Sequence, residues 1–174
     1  MISEPEFQAL ASQGFNRIPL MAQAFADLET PLSLYLKLAH MPGESGATGA
    51  DSGRNSFLLE SVVGGERFGR YSFIGLPART LLRSSGFGAD ARTEVVTDGV
   101  VVETSSANPL DFIASYQKRF KVALRPGMPR FCGGLAGYFG YDAVRYIEKK
   151  LEASCPPDAL GCPDILLLSV KNWP

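Results

Sequence analysis

The sequence predicts an α+β fold, a mainly antiparallel sheet with packed helices, from three features. Short apolar segments rich in β-branched and aromatic residues recur along it. Two such segments flank an Asp-Gly turn, and two stretches with helical spacing open on a cap residue followed by proline. Residues 1–24 carry a short amphipathic helix through Phe7, Leu10 and Ala11, a turn at Gly14, and an extended arm in which Pro19 disfavours helix at Ile18. Thr30 then caps a helix with Pro31 in its first position. Leu32, Tyr35, Leu36 and Leu38 carry it towards His40, where Met41-Pro42-Gly43 stops it. Gly43 to Gly53, rich in Gly, Ser and Ala, is a loop.

The run from Asn55 to Gly75 predicts a strand pair. Phe57-Leu58-Leu59 and Val62-Val63 read as one buried strand, Gly64-Gly65 turns the chain, and Arg70-Tyr71-Ser72 leads into a second strand ending at Gly75. Glu60 and Ser61 interrupt the apolar run. A buried carboxylate or hydroxyl needs a hydrogen-bond partner, so the pair marks a polar notch. A strand follows Leu76-Pro77 and a loop covers Gly86 to Ala91. A hairpin spans Thr93 to Thr104, with Asp98-Gly99 supplying the positive φ of a two-residue turn. Asn108-Pro109 opens a helix that buries Phe112, Ile113, Tyr116 and Phe120. The glycines between Gly133 and Gly140 indicate a strand that other backbone approaches closely. Asp142 to Lys150 reads as a helix ended by Pro156-Pro157, and Pro163 to Leu168 as the start of a buried strand. No repeat or domain boundary is visible.

Bulk properties remove several function classes. The 174 residues carry 17 basic and 18 acidic side chains, a net charge of −1, which argues against a general nucleic-acid or anionic-membrane binder. No apolar run approaches the roughly 20 residues of a membrane helix, and the first residues lack the pattern of a secretory signal. Cys132, Cys155 and Cys162 are an odd number without Cys-x-x-Cys spacing, which fits reduced thiols in a cytoplasmic protein better than a disulfide frame or zinc site. A single histidine, His40, removes most histidine-based triads and multi-histidine metal sites. The glycine-rich stretch lacks both common phosphate-binding patterns.

Five segments in order carry a family resemblance. They are Glu29-Thr30-Pro31-Leu32-Ser33-Leu34-Tyr35, Phe57-Leu58-Leu59-Glu60-Ser61-Val62, Gly69-Arg70-Tyr71-Ser72-Phe73-Ile74-Gly75, Gly133 to Arg145 with Glu148, and Pro163-Asp164. Together, from about Phe15 to Leu168, they resemble the N-terminal region of anthranilate synthase component I, the chorismate-using subunit of tryptophan biosynthesis. The resemblance implies a feedback pocket for L-tryptophan in which Ser61 contacts the inhibitor, Glu60 lies beside it, Pro31 borders it, and Arg70 and Tyr71 add lining. Such a ligand needs an acceptor for its ammonium, a donor for its carboxylate and an apolar slot for its indole.

The resemblance also implies what lies elsewhere. The chorismate-binding domain, its Mg²⁺-binding glutamates and its acid/base residues belong to the family's C-terminal part, which residues 1–174 do not include. Ser169 to Pro174 departs from the family pattern. Asp142, Glu148 and Asp164 have no metal or acid/base spacing and receive no catalytic role. The intact enzyme would be a lyase making anthranilate and pyruvate with ammonia from a glutamine amidotransferase subunit, component II. This chain would be inactive alone. Two alternatives stay open: the corresponding region of aminodeoxychorismate synthase component I, and a non-catalytic amino-acid-binding module.

Overall fold

The computed structural model describes residues 2–39, 55–60, 71–129, 131–155 and 158–170. The turn at Gly64-Gly65, the helix end at His40, the Gly43–Gly53 loop and the stop at Pro156-Pro157 lie outside the described residues. The chain divides into two compact units where the sequence signals no boundary. The smaller spans Gln23–Arg79, and the larger comprises Met1–Ala22 with Thr80–Pro174.

In the larger unit, helix α1 (Glu4–Ser12) is capped by Ser3, whose hydroxyl accepts from the Glu6 amide at 3.4 Å. Gly14, at φ +84°, turns the chain into the predicted arm. Strands β3 (Thr80–Ser85), β4 (Arg92–Thr97), β5 (Val100–Ser105), β6 (Gly134–Phe139) and β7 (Ile165–Val170) form an antiparallel sheet in the order β5-β4-β3-β7-β6. The β4–β5 turn is the expected one, with Asp98 at φ 50° and Gly99 at φ 81°. A bulge between Val95 and Val96 shifts the register within that pair.

One sheet face carries the core. Leu82 is aligned with Val95 on one side and Leu167 on the other, and all three are buried with Ile165. Helix α3 (Pro109–Gln117) supplies Phe112, Ile113 and Tyr116 to the same cluster, so the 3.6-residue period meets the two-residue period across one interface. The buried hydroxyls of Ser84 and Thr93 bond each other at 2.8 Å, which offsets their desolvation.

Asn108 caps α3 as its sequence indicates. Its side-chain oxygen accepts from the Leu110 amide at 2.9 Å, and its amide nitrogen donates to the Tyr146 carbonyl at 2.7 Å. Asn108→Ala removes both bonds, and a loss of about 1–2 kcal/mol is expected in urea unfolding. A change below a few tenths would mean that water replaces both.

Two expectations are corrected in this unit. Phe120 lies beyond the end of α3, because the chain tightens so that the Phe120 amide donates to the Gln117 carbonyl at 3.1 Å. The Phe120 ring still meets Tyr116 edge-on, with 5.3 Å between centroids. The Asp142–Lys150 segment is not an α-helix but two 3-10 turns, Tyr141–Tyr146 and Lys149–Ser154. Its hydrogen bonds are diverted: the Tyr146 carbonyl is taken by Asn108, and Arg145 bonds both the Asp142 carboxylate at 2.8 Å and the Leu151 carbonyl.

The glycine-rich strand behaves as read. An added Cβ at Gly137 would stand 2.0 Å from the Leu166 carbonyl oxygen, and one at Gly140 would stand 3.0 Å from that of Asp164. Asp164 itself is tied into the fold. Its carboxylate accepts from the Tyr146 hydroxyl at 3.1 Å, its amide donates to Ser84 at 2.8 Å, and its carbonyl accepts from Gly140 at 2.7 Å. Burial pushes its carboxyl above the usual range, against the Tyr146 and Gly86 hydrogen bonds that pull it down. These contacts give Asp164 a structural reason to be where it is.

Candidate functional site

The smaller unit holds every described residue of the polar notch. Its helix, α2 (Pro31–Ala39), begins where Thr30-Pro31 predicts. The Thr30 hydroxyl accepts from the Ser33 amide at 3.0 Å, and the Ser33 hydroxyl accepts from the Thr30 amide at 2.9 Å, a reciprocal capping box closed by serine. Ser33 also donates to the Glu29 carboxylate at 2.6 Å, which Lys37 bonds from one turn further along. The Lys37 ammonium, then the Ser33 hydroxyl, hold the Glu29 carboxyl below its usual range. The helix start is therefore a preorganised polar corner next to Pro31, which is half-buried.

Strands β1 (Phe57–Glu60) and β2 (Ser72–Gly75) pair antiparallel, with Phe57 opposite Gly75 and Glu60 opposite Ser72. At one end the Phe57 ring lies over Gly75. A Cβ there would come within 2.1 Å of the ring, so only glycine leaves room for it. Helix α2 packs on both strands, and the Tyr35 and Ser56 hydroxyls, 2.8 Å apart, tie it to the start of β1.

The other end of the ribbon carries the candidate residues. Pairing of Glu60 with Ser72 places Tyr71 beside the Glu60 end, so these two candidates come together although 11 positions apart. The Tyr71 ring lies 6.4 Å from that of Phe73. Pro31 stands on α2, the helix packed against the same ribbon. Ser61 and Arg70 lie outside the described residues, as does any Glu60–Arg70 pairing.

Here the reading of a buried strand is corrected. Leu59 is 56% exposed and Glu60 is exposed. The ribbon has only two strands among the described residues, and α2 covers only part of it, so the end at Glu60 stays open to water. Glu60, exposed at that end, therefore needs no buried hydrogen-bond partner to offset desolvation.

What sequence reasoning missed is the Glu29–Ser33–Lys37 network. Its signal was present in the Thr-x-x-Ser spacing and in a carboxylate four residues before the serine and eight before the lysine. Among the described residues no cluster of three His, Cys, Asp or Glu side chains could hold a metal ion, and no helix is long and apolar enough to cross a membrane.

No family model matches the chain. Among curated proteins, it is 52% identical over 168 residues to anthranilate synthase component 1 of Pseudomonas putida. It is 50% identical over 171 residues to that of Neisseria meningitidis serogroup B, and 40% identical over 175 residues to that of Acinetobacter calcoaceticus. These alignments take in 96%, 97% and 99% of this chain but 31%, 32% and 32% of the relatives. The chain thus spans about a third of the length of the curated relatives it matches. Half-identical over nearly its whole length, it is homologous to the N-terminal portion of proteins named anthranilate synthase component 1.

Proposed function

We propose that this chain is the N-terminal, tryptophan-sensing portion of an anthranilate synthase large subunit. The observation that carries the reading is identity of 50–52% over at least 96% of the chain with relatives of that name. The intact enzyme is a cytoplasmic lyase that converts chorismate, with ammonia from the component II amidotransferase, into anthranilate and pyruvate, using Mg²⁺.

L-tryptophan is the inhibitor in this reading. The Glu60–Tyr71 end of the β1–β2 ribbon, with Ser61 and Arg70 next to it in sequence and Pro31 on the adjoining helix, is the chain's share of the pocket in this reading. Glu60 suits the ligand ammonium and Arg70 its carboxylate, as charge-assisted bonds, while Tyr71 offers a ring face to the indole. Ser61 adds a hydroxyl that can donate or accept.

The test is replacement of the matched third of the Pseudomonas putida protein by this chain, giving a full-length fusion. The purified 174-residue chain is expected to form no anthranilate from chorismate and an ammonium salt with Mg²⁺, whereas the fusion forms it. Synthesis by the isolated chain, or an inactive fusion that is folded, would overturn the reading. In the active fusion, Ser61→Ala is expected to raise the tryptophan concentration for half-inhibition about tenfold or more, since a hydrogen bond to a charged ligand group is worth about 1.5–3 kcal/mol. An unchanged inhibition curve would remove Ser61 from the pocket.

A further inference from the structure

In the larger unit, the extended arm Asn16–Leu20 does not hang free. It is zipped to the segment after α3: the Asn16 and Arg17 amides both donate to the Lys121 carbonyl at 3.1 Å, and the Ala123 amide donates to Arg17 at 2.8 Å. The Asn16 side chain adds bonds at 2.7 Å to the Arg119 carbonyl and the Lys121 amide, and Arg125 holds the Pro19 carbonyl at 2.8 Å. Between this double-stranded wall and the start of β6 runs a groove enclosing about 590 Å³.

The groove is mostly apolar and partly open. Leu20 is 61% exposed and Leu124 is 71% exposed, and each lies within three residues of the Asn16–Arg17 and Lys121–Ala123 backbone that is hydrogen-bonded together. An exposed apolar patch flanked by paired backbone marks an interaction surface. Arg17 projects its guanidinium 4.6 Å over the Phe120 ring and has no carboxylate partner among the described residues, so the groove also presents a cation. Its floor is formed by Gly133, Gly134 and Val170, where β6 begins and β7 ends.

We propose that this groove seats the part of an anthranilate synthase component 1 polypeptide that the chain does not span, through an apolar segment bearing a carboxylate or carbonyl opposite Arg17. Three observations choose that occupant. The relatives are about three times as long as the chain, so most of their mass lies outside it. The groove lies at the C-terminal residues of β7, the last strand in sequence among the described residues. Its leucines are too exposed for a small molecule to be enclosed between them, whereas a protein segment covers such walls while excluding water.

The inference rests on the proposed function, and the same fusion separates the two. Hydroxyl-radical footprinting with mass spectrometry is applied to the isolated chain and to the active fusion, reading Leu20 and Leu124. Both leucines are expected to be oxidised about tenfold or more slowly in the fusion, because a packed interface core excludes water. Leu124→Glu should lower the thermal midpoint of the fusion while leaving that of the isolated chain unchanged, since the side chain has no core contact to lose there. An active fusion in which both leucines react as in the isolated chain overturns the groove assignment and leaves the functional reading standing. An inactive folded fusion overturns both. Protection of the leucines in the isolated chain on adding chorismate or tryptophan would make the groove a small-molecule site instead and sink the proposal.

Discussion

Gly137→Ala is expected to be among the most destabilising single-methyl additions in this protein, at about 3 kcal/mol or more. The new Cβ would lie 2.0 Å from the Leu166 carbonyl oxygen and 2.9 Å from the Leu166 carbonyl carbon and the Leu167 Cα. All three are backbone atoms of the neighbouring strand, so no side chain can rotate away, and β6 must part from β7 or shift along it. Gly134→Ala is the comparison. Nothing lies within 4 Å of its added Cβ, and only its φ of +131° resists the change. Strain of that kind is worth about 1 kcal/mol or somewhat more. Urea unfolding of the two variants should therefore rank Gly137→Ala well below Gly134→Ala. Equal midpoints would mean that the sheet relaxes at Gly137 without loss of pairing.

Leu82→Ala is expected to remove about 2–5 kcal/mol, the range for deleting a fully buried leucine whose cavity cannot collapse. Leu82 has no exposed surface and sits on β3 between Val95 and Leu167, with α3 covering the face. Its neighbours are held by strand pairing on both sides, which limits their movement into the space. Val102→Ala on β5, where the side chain is 60% exposed, should stay within about 0.5 kcal/mol. A loss at Leu82 no larger than at Val102 would contradict the core assignment.

The particular residues explain why some elements were legible and others were not. Thr30-Pro31, Asn108-Pro109 and Asp98-Gly99 act within a few residues of themselves, through a hydroxyl or amide cap, a preset φ and a tolerated positive φ. Asp142 to Lys150 has the charge pattern of a helix, yet Asn108, 38 positions away, takes one of its carbonyls, and two 3-10 turns result. Leu58 and Leu59 look equally buried in the sequence. Only the two-stranded ribbon shows that the Glu60 end is open.

The candidate site divides in the same way. The quoted segments identified the family and named Pro31, Glu60, Ser61, Arg70 and Tyr71, and the comparisons bear that family out while leaving the roles to experiment. Composition by itself marked only a polar notch. The Glu29–Ser33–Lys37 corner is local and could have been read from spacing. The groove could not, because Leu20 and Leu124 are brought together by bonds between segments more than 100 positions apart.

The sequence alone therefore determined the α+β class, the caps, the hairpin turn and the kinship, all of which depend on neighbouring residues or on ordered motifs. Tertiary structure decided the order β5-β4-β3-β7-β6, the close approach at Gly137, the exposure of Glu60 and the groove beside Arg17. Those properties arise from which distant surfaces meet and which stay in water, and no local propensity encodes that choice.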